Sequence, residues 1–127
     1  MSTIGQGEYR SKIAYADMTS AQYRFVVLRS DGKYVELADA TADIAYGILQ
    51  NTPDEGEAAS IKVQGESKLD CTSASGMTVG EFVAPATTAK GMVATTGQYP
   101  RGRITQGTSD ATALAVVELF DSGAALS

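Results

Sequence analysis

The sequence predicts an all-β protein: a small compact β-barrel or β-sandwich of two related half-units, with an extended N-terminal arm and little helix. Short segments rich in β-branched and aromatic residues alternate with turns of Gly, Pro, Asn and Asp, which is the pattern of strands. The same order of segments occurs twice along the chain. A length of 127 residues predicts one domain, so we assign residues 21–127 to a single β-rich domain and residues 1–20 to the arm.

The N-terminal arm carries only a few apolar residues, at Ile4, Tyr9, Ile13 and Tyr15. They are too widely spaced in a polar segment to form a core element by themselves. Such a segment suits strand addition to the sheet edge of another protein, where backbone hydrogen bonds give affinity and alternate side chains enter pockets. A frayed terminus without a role is the alternative interpretation.

The first half-unit is expected to begin with a hairpin. Residues 22–29 are apolar and aromatic, Ser30-Asp31-Gly32 is a turn signal, and residues 33–37 alternate polar and apolar side chains. Three more strands are expected, at residues 44–50, 60–64 and 68–71, with a loop at 51–56 and with Gly65 separating the last two.

The second half-unit repeats this style. Its predicted strands lie at residues 78–84, 91–95, 101–106 and 112–120, with loops at 85–90 and 97–100 and a turn at 107–110. The last segment is apolar on both alternate faces, as expected for a central buried strand, although Ser109 as an N-cap would permit a short helix. We favour the strand.

Matching dipeptides and tripeptides support the internal repeat. Phe25-Val26 corresponds to Phe82-Val83 at an offset of 57 residues, and Ile61-Lys62-Val63 corresponds to Val117-Glu118-Leu119 at an offset of 56. Residues 47–50 similarly resemble residues 102–105. Two such halves could pair into a small barrel, which leaves few exposed sheet edges. Chance similarity is the alternative, because the identities are few.

The composition excludes several classes of chemistry. There is no histidine, so neither a Ser-His-Asp or Cys-His relay nor a His-ligated zinc site can form. The single cysteine, Cys71, cannot make an internal disulfide and is expected to be a small buried side chain. A net charge of -5 opposes nucleic-acid binding, which depends on neutralising phosphates. The basic residues are scattered, and Arg101 and Arg103 form a tight basic pair.

The core is expected to be thin. Of the hydrophobic residues, 19 are alanine and only 25 are Leu, Ile, Val or Phe, which is low for a globular chain. Burial against a partner would complete such a core.

The acidic and glycine-rich segments make weak sites. Asp54, Glu55 and Glu57 lack the spacing of a calcium loop, and nothing gives Asp39 and Asp43 the cleft that acid/base catalysis needs. The six tyrosines could line a sugar-binding face, but there is no tryptophan, and packing roles are favoured. We therefore expect no catalytic, cofactor-binding or metal-binding residue and no cofactor.

No targeting or membrane segment is predicted. The first ten residues have no apolar run, and no stretch approaches the roughly 18 apolar residues of a membrane helix. We expect a soluble protein that is made in a cytoplasm and binds neither membrane nor nucleic acid.

The segment from Gly47 to Gly65, with the preceding hairpin and the following Val79-Gly80-Glu81-Phe82-Val83, resembles the small capsid decoration proteins of tailed bacteriophages, also called cement proteins. The similarity covers about residues 23–120. It is a similarity of pattern: a glycine-led apolar strand, a loop with an acidic glycine turn, an alternating strand, a Gly-Glu-Phe-Val strand and an alanine-rich apolar C-terminal strand.

The resemblance implies a structural virion protein without a catalytic centre, on the outer surface of the capsid and made in the host cytoplasm. It implies the major capsid protein as partner and homotrimers at threefold or quasi-threefold positions. The arm supplies the candidate capsid contacts: Ile4, Tyr9, Arg10, Ile13 and Tyr15. The alternatives are a β-barrel module that binds host-surface carbohydrate through its tyrosines and a small enzyme that uses carboxylates alone.

Overall fold

The computed structural model describes residues 7–40, 43–72, 77–107 and 114–120. Within these ranges the chain is all-β, as predicted, and contains no helix. The strands are β1 (Glu8–Ala14), β2 (Phe25–Leu28), β3 (Tyr34–Leu37), β4 (Gly47–Leu49), β5 (Ala58–Asp70), β6 (Phe82–Pro85), β7 (Gly91–Val93), β8 (Gly102–Gln106) and β9 (Leu114–Leu119).

Unit 1, which we define as residues 7–64, is a closed five-stranded barrel. β1 pairs with β3 in parallel. The other pairings are antiparallel: β3 with β2, β2 with β4, β4 with the first half of β5, and β5 with β1. The ring is thus closed, with the contact between β1 and β3 limited to Ile13 and Ala14 of β1.

Unit 2, which we define as residues 65–120, starts with the second half of β5. This half pairs with β9, β9 with β8, β8 with β6, and β6 with β7. β7 comes back to the end of β5 through a parallel bridge between Cys71 and Gly91. The second ring is therefore closed by this single bridge.

The two units share strand order and register, so the predicted repeat is a repeat of topology. Within unit 1 Val26 is opposite Gly47 and Ala14 is opposite Val35. The corresponding pairs in unit 2 are Val83 with Gly102 and Cys71 with Gly91. Backbone hydrogen bonds agree as well: the pair Tyr23 N–H to Leu49 O recurs as Gly80 N–H to Ile104 O.

β5 differs from the prediction. Gly65 was expected to separate two strands, yet β5 runs through it for 13 residues. Gly65 has φ of 97°, a conformation that glycine adopts without a side-chain clash. The partners change at this point, from Gln64 with β1 to Gly65 with β9. Gly65 is thus the point at which β5 leaves the first ring and enters the second.

The N-terminal segment also differs from the expected arm. Glu8–Ala14 is extended, but it pairs with the chain's own β3 and β5. The side chains of Ala14 and Met18 are buried in the core of unit 1. The sequence pattern indicated strand addition, and the strand is added to the same chain because β1 completes the barrel.

The start of β6 is later than predicted. Residues 78–81 form a turn in which the Glu81 N–H donates to Thr78 O and the Glu81 carboxylate accepts from the Thr78 N–H. Pro85, assigned to a loop, ends β6 instead. The hydrogen bond of the Glu81 side chain in this turn, rather than the apolar pattern, determines where β6 begins.

The core consists of two clusters. One fills the barrel of unit 1 with small and medium side chains such as Val26, Leu49 and Ile61. The larger one fills unit 2 and also takes in Phe25 and Ile48 from the outer face of unit 1. Packing between the units therefore supplements the thin core that the composition predicted.

Candidate functional site

The buried guanidinium of Arg101 joins the two units. It donates to four backbone carbonyls: Ala45 O at 3.1 Å, Tyr46 O at 2.9 Å, Val63 O at 2.8 Å and Phe120 O at 2.7 Å. The residue is only 8% exposed. Because its donors are directed to carbonyls on both sides of the junction, Arg101 is a structural clamp and not part of a basic surface pair with Arg103.

A cleft opens beside Arg101 at the end of the unit 1 barrel. It is lined by Arg10, Leu28, Ile44, Ala45, Tyr46, Val63 and Arg101. Two of its apolar residues are unusually exposed, Leu28 at 39% and Ile44 at 60%. Because Arg10 is salt-bridged to Glu8 and Arg101 donates to carbonyls, the exposed apolar side chains are what the cleft offers to an apolar segment of a partner protein. Leu28 and Ile44 are not among the residues predicted from sequence to make contacts, because a single apolar residue in a predicted strand gives no sign of which face it occupies.

The predicted contact residues do not share one face. On β1, Tyr9 and Ile13 point to the side opposite Arg10, because side chains alternate along a strand. Tyr9, Ile13 and Tyr15 are among the exposed large hydrophobic residues of the described chain. Ile4 lies outside the described residues. The structure thus brings Tyr9 and Ile13 together and places Arg10 at the cleft.

The aromatic contacts of Tyr9 and Tyr15 involve the chain's own cations. The Arg29 guanidinium lies 3.5 Å from the centroid of the Tyr15 ring, whose edge also meets Tyr34. The Lys62 ammonium lies 5.1 Å from the centroid of the Tyr9 ring. Cation–π pairs of this kind occupy one ring face and fix the side chain.

The ammonium group of Lys62 has no hydrogen-bond partner within the described structure. The residue is fully buried on β5, beneath Tyr9 and close to Gly7. A buried ammonium without an acceptor is costly, and the Tyr9 ring compensates only in part. Sequence patterning could not find this feature, because Lys62 occupies the polar position of an alternating strand.

The acidic candidates serve turns. The Glu57 carboxylate accepts from the Asp54 N–H, and one Asp43 carboxylate oxygen accepts from the Asp39 and Ala40 N–H groups. Within the described residues no cluster of His, Cys, Asp or Glu could hold a metal ion. Hydrogen bonds from the Thr19 N–H and the Thr19 hydroxyl lower the pKa of Asp17, and the hydrogen bond from the Lys33 N–H lowers the pKa of Asp31.

Cys71 is buried in the core of unit 2. Burial, with the Asp70 charge as the second cause, raises the pKa of its thiol to about 12. The thiolate is the nucleophilic form, so this cysteine is not activated at neutral pH.

Across the ranges that the structure describes, no helix has the length and apolar character to span a bilayer.

The geometry defines a class: an all-β domain of two fused five-stranded units whose notable features are exposed apolar surfaces. No family model matches the chain, and no curated protein matches it by sequence. The fold matches a solved structure described as the head fiber gp8.5 N base in bacteriophage phi29, with a TM-score of 0.66. The match covers 94% of this chain and 98% of that chain at 12% sequence identity. The two chains therefore share a fold over nearly their full lengths.

Proposed function

We propose that this chain is a structural protein of a tailed-phage virion, which binds the outer surface of the capsid through the major capsid protein and stabilises the expanded head. The observation that carries the proposal is the fold likeness, over 94% of the chain, to a domain described as the base of a phage head fiber. The resemblance of the sequence pattern to decoration proteins supports the same class.

The role of cement protein fits the physical character of the chain. A protein that binds only the assembled shell stabilises that state by mass action, and many weakly bound copies add their effects. The exposed apolar residues Ile44, Leu28 and Tyr9 offer contact area without an active site. We propose homotrimers at threefold or quasi-threefold positions as the bound form.

Carbohydrate binding is less well supported. Stacking of a sugar needs an open aromatic face, and four of the six tyrosines have a cation of the chain near the ring: Tyr9 with Lys62, Tyr15 with Arg29, Tyr23 with Lys68 and Tyr46 with Lys12. These four described tyrosines therefore do not favour this alternative.

The test is co-sedimentation of the purified protein with empty heads of the phage that encodes it. We expect saturable binding at many copies per head and greater resistance of loaded heads to heat or low salt. Binding of a few copies, or none, would contradict a cement role. Saturable binding to glycans by the isolated protein would support the carbohydrate module instead.

Point variants are better than truncation for locating the capsid contact. Deleting residues 1–20 would remove β1 and open the barrel, so lost binding would have no clear meaning. Ile44→Asp changes an exposed residue of the cleft and should lower head occupancy. Val79→Asp is the matched control, because Val79 is 69% exposed but belongs to unit 2. Equal occupancy for both variants would remove the cleft as a contact.

A further inference from the structure

The repeat gives each unit the same outer row of side chains. In unit 1 the row crosses β2, β4, β5 and β1 through the paired residues Phe25, Ile48, Lys62 and Tyr9. In unit 2 it crosses β6, β8, β9 and β5 through Phe82, Arg103, Glu118 and Glu66. The registers match pair by pair, so the two rows are structurally equivalent.

Unit 2 covers part of the row of unit 1. Phe25 and Ile48 are fully buried in the core cluster of unit 2. The backbone takes part, since the Asp70 N–H donates to Tyr23 O and the Phe25 N–H donates to Ala89 O, each at 2.8 Å. This contact is the interface between units.

A salt bridge lies at the edge of the same interface. Arg24 of unit 1 meets Asp70 of unit 2, with 3.2 Å between Nε and Oδ2. The residue equivalent to Arg24 in unit 2 is Glu81, because Arg24 O and Glu81 O accept from the equivalent N–H groups of Leu49 and Ile104.

The row of unit 2 lies on the surface of the described chain. Arg103 and Glu118 are exposed, Phe82 and Phe120 are half-buried, and these residues line a shallow depression with Leu119. The two phenyl rings meet edge to face at 5.7 Å, and the Arg103 guanidinium lies 4.8 Å from the Phe82 centroid. No third unit within the described residues covers this row as unit 2 covers the row of unit 1.

The surface of unit 2 that contacts the row of unit 1 has an equivalent on unit 1. Asp70, which meets Arg24, is equivalent to Ile13 by its pairing in the sheet. Ile13 is 37% exposed and lines a second depression with Ser11, Lys12, Gly32, Lys33, Gly56 and Ala58. Lys12 and Lys33 border this surface, whereas the row of unit 2 carries Glu118 and Glu66 with one Arg103, and Glu81 lies beside it. The two surfaces are therefore complementary in charge.

We propose that the outer row of unit 2 in one copy docks onto the Ile13 surface of unit 1 in a second copy, and so repeats between chains the contact that joins the units within a chain. The contact is head-to-tail, because each copy contributes a different surface, and such contacts close into rings or extend into filaments. Side chains must supply it, since the Ile13 N–H already donates to Lys33 O at 3.0 Å, whereas the equivalent Asp70 N–H donates across the interface to Tyr23 O.

The proposal concerns contacts between copies and does not rest on attachment to a head. It assigns Ile13 to the contact between copies and leaves Tyr9, Arg10 and Tyr15 available to the capsid. The experiments below use the protein alone, so their failure is distinguishable from failure of the proposed function.

The first experiment cross-links two single-cysteine variants with a short bis-maleimide at high protein concentration. Glu81→Cys and Ile13→Cys occupy positions equivalent to Arg24 and Asp70, whose side chains meet within the chain. A mixture of the two should give at least about fivefold more dimer than either alone, because a head-to-tail contact joins unlike positions. Cys71 gives little background because it is buried with a raised pKa.

The matched control replaces Ile13→Cys by Asp39→Cys, an exposed position outside both surfaces. Dimer in the mixture no greater than in this control would overturn the proposal. Efficient dimer formation by Glu81→Cys alone would also overturn it, since that result indicates a two-fold contact between like surfaces.

The second experiment needs no cross-link. Ile13→Arg places a cation opposite Glu81 of the next copy and mirrors the Arg24–Asp70 bridge, so it should strengthen self-association several-fold. Ile13→Asp places an anion there and should weaken it. Sedimentation velocity measures the association, and thermal melting shows that both variants fold. The same change in association for both variants contradicts the proposed pairing.

Discussion

Unit 1 and unit 2 have the same strand order and register but use equivalent positions differently. Tyr46 of unit 1 supplies a carbonyl, while Arg101, its equivalent, supplies the guanidinium that binds it. Lys62 is buried without an acceptor, while its equivalent Glu118 is exposed. The comparison shows that a duplicated fold keeps its backbone pairing and changes the side chains where one unit meets the other.

The largest effect is expected at the Arg101 clamp. Arg101→Ala removes donors from four carbonyls near the junction and should lower the free energy of unfolding by about 3–5 kcal/mol. Arg103→Ala is the control, because Arg103 is exposed and contacts the Phe82 ring, and it should cost under about 1 kcal/mol. Urea denaturation measures both. Similar losses for the two variants would mean that Arg101 does not join the units.

Equivalent glycines should differ in their tolerance of a methyl group. A Cβ on Gly47 would collide with Lys62 O and lie 2.7 Å from Ile61 Cγ2, whereas one on Gly102 would lie 3.1 Å from Glu118 O. Gly47→Ala should therefore cost about 2–3 kcal/mol and Gly102→Ala under about 1 kcal/mol. Melting temperatures give the order directly. If Gly102→Ala is the more destabilising change, Gly102 rather than Gly47 is the more tightly packed of the two glycines, which contradicts this prediction.

Replacing the buried ammonium should stabilise unit 1. Lys62→Met keeps the length of the side chain and removes a charge that has no acceptor among the described groups, so unfolding should cost about 1–2 kcal/mol more. Lys68→Met is a control on the same strand, because Lys68 also lies near a tyrosine ring but is exposed. It should change stability by under about 0.5 kcal/mol. A loss of stability in Lys62→Met would show that the ammonium has a stabilising partner.

The smallest effect concerns pH and the turn of unit 1. Asp31 has a lowered pKa in the fold, mainly because its carboxylate accepts from the Lys33 N–H. Its contribution is therefore present above the pKa of the unfolded chain and is lost as the pH falls through the lower pKa of the folded chain. Asp31→Asn can keep the turn but not the charge. The difference in stability between the original protein and this variant should therefore become smaller as the pH falls. An NMR titration of the Asp31 carboxyl group checks the direction, and an unshifted or raised pKa contradicts it.

The sequence predicts strands best where alternation and turns agree. The β2–β3 hairpin, the loop around Pro53 and the strand interpretation of residues 112–120 follow from local signals, and the structure has strands at β2, β3 and β9. The part of the last prediction at residues 112 and 113, and the turn at 108–110, lie outside the described residues. Local propensity sufficed here because these elements include pairings between consecutive strands, β2 with β3, β4 with β5 and β8 with β9.

The features that sequence could not supply depend on distant residues. In the sequence, Gly65 predicts the end of a strand. A continuous strand is favourable only because β1 pairs with β5 before Gly65 and β9 pairs with it from Gly65 onward. The burial of Lys62 and the four carbonyls around Arg101 come from chain segments far apart in sequence. Patterning describes one strand at a time, whereas these features require the closed ring.

β5 also determines how the protein responds to force. It is one strand of 13 residues, about 43 Å long at the usual rise per residue, and its backbone continues from the first ring into the second with no linker. A force applied to one unit is therefore transmitted to the other through the backbone of β5 and through the hydrogen bonds that β5 makes in both sheets. Because β5 joins the two described units directly, we expect them to unfold together under force.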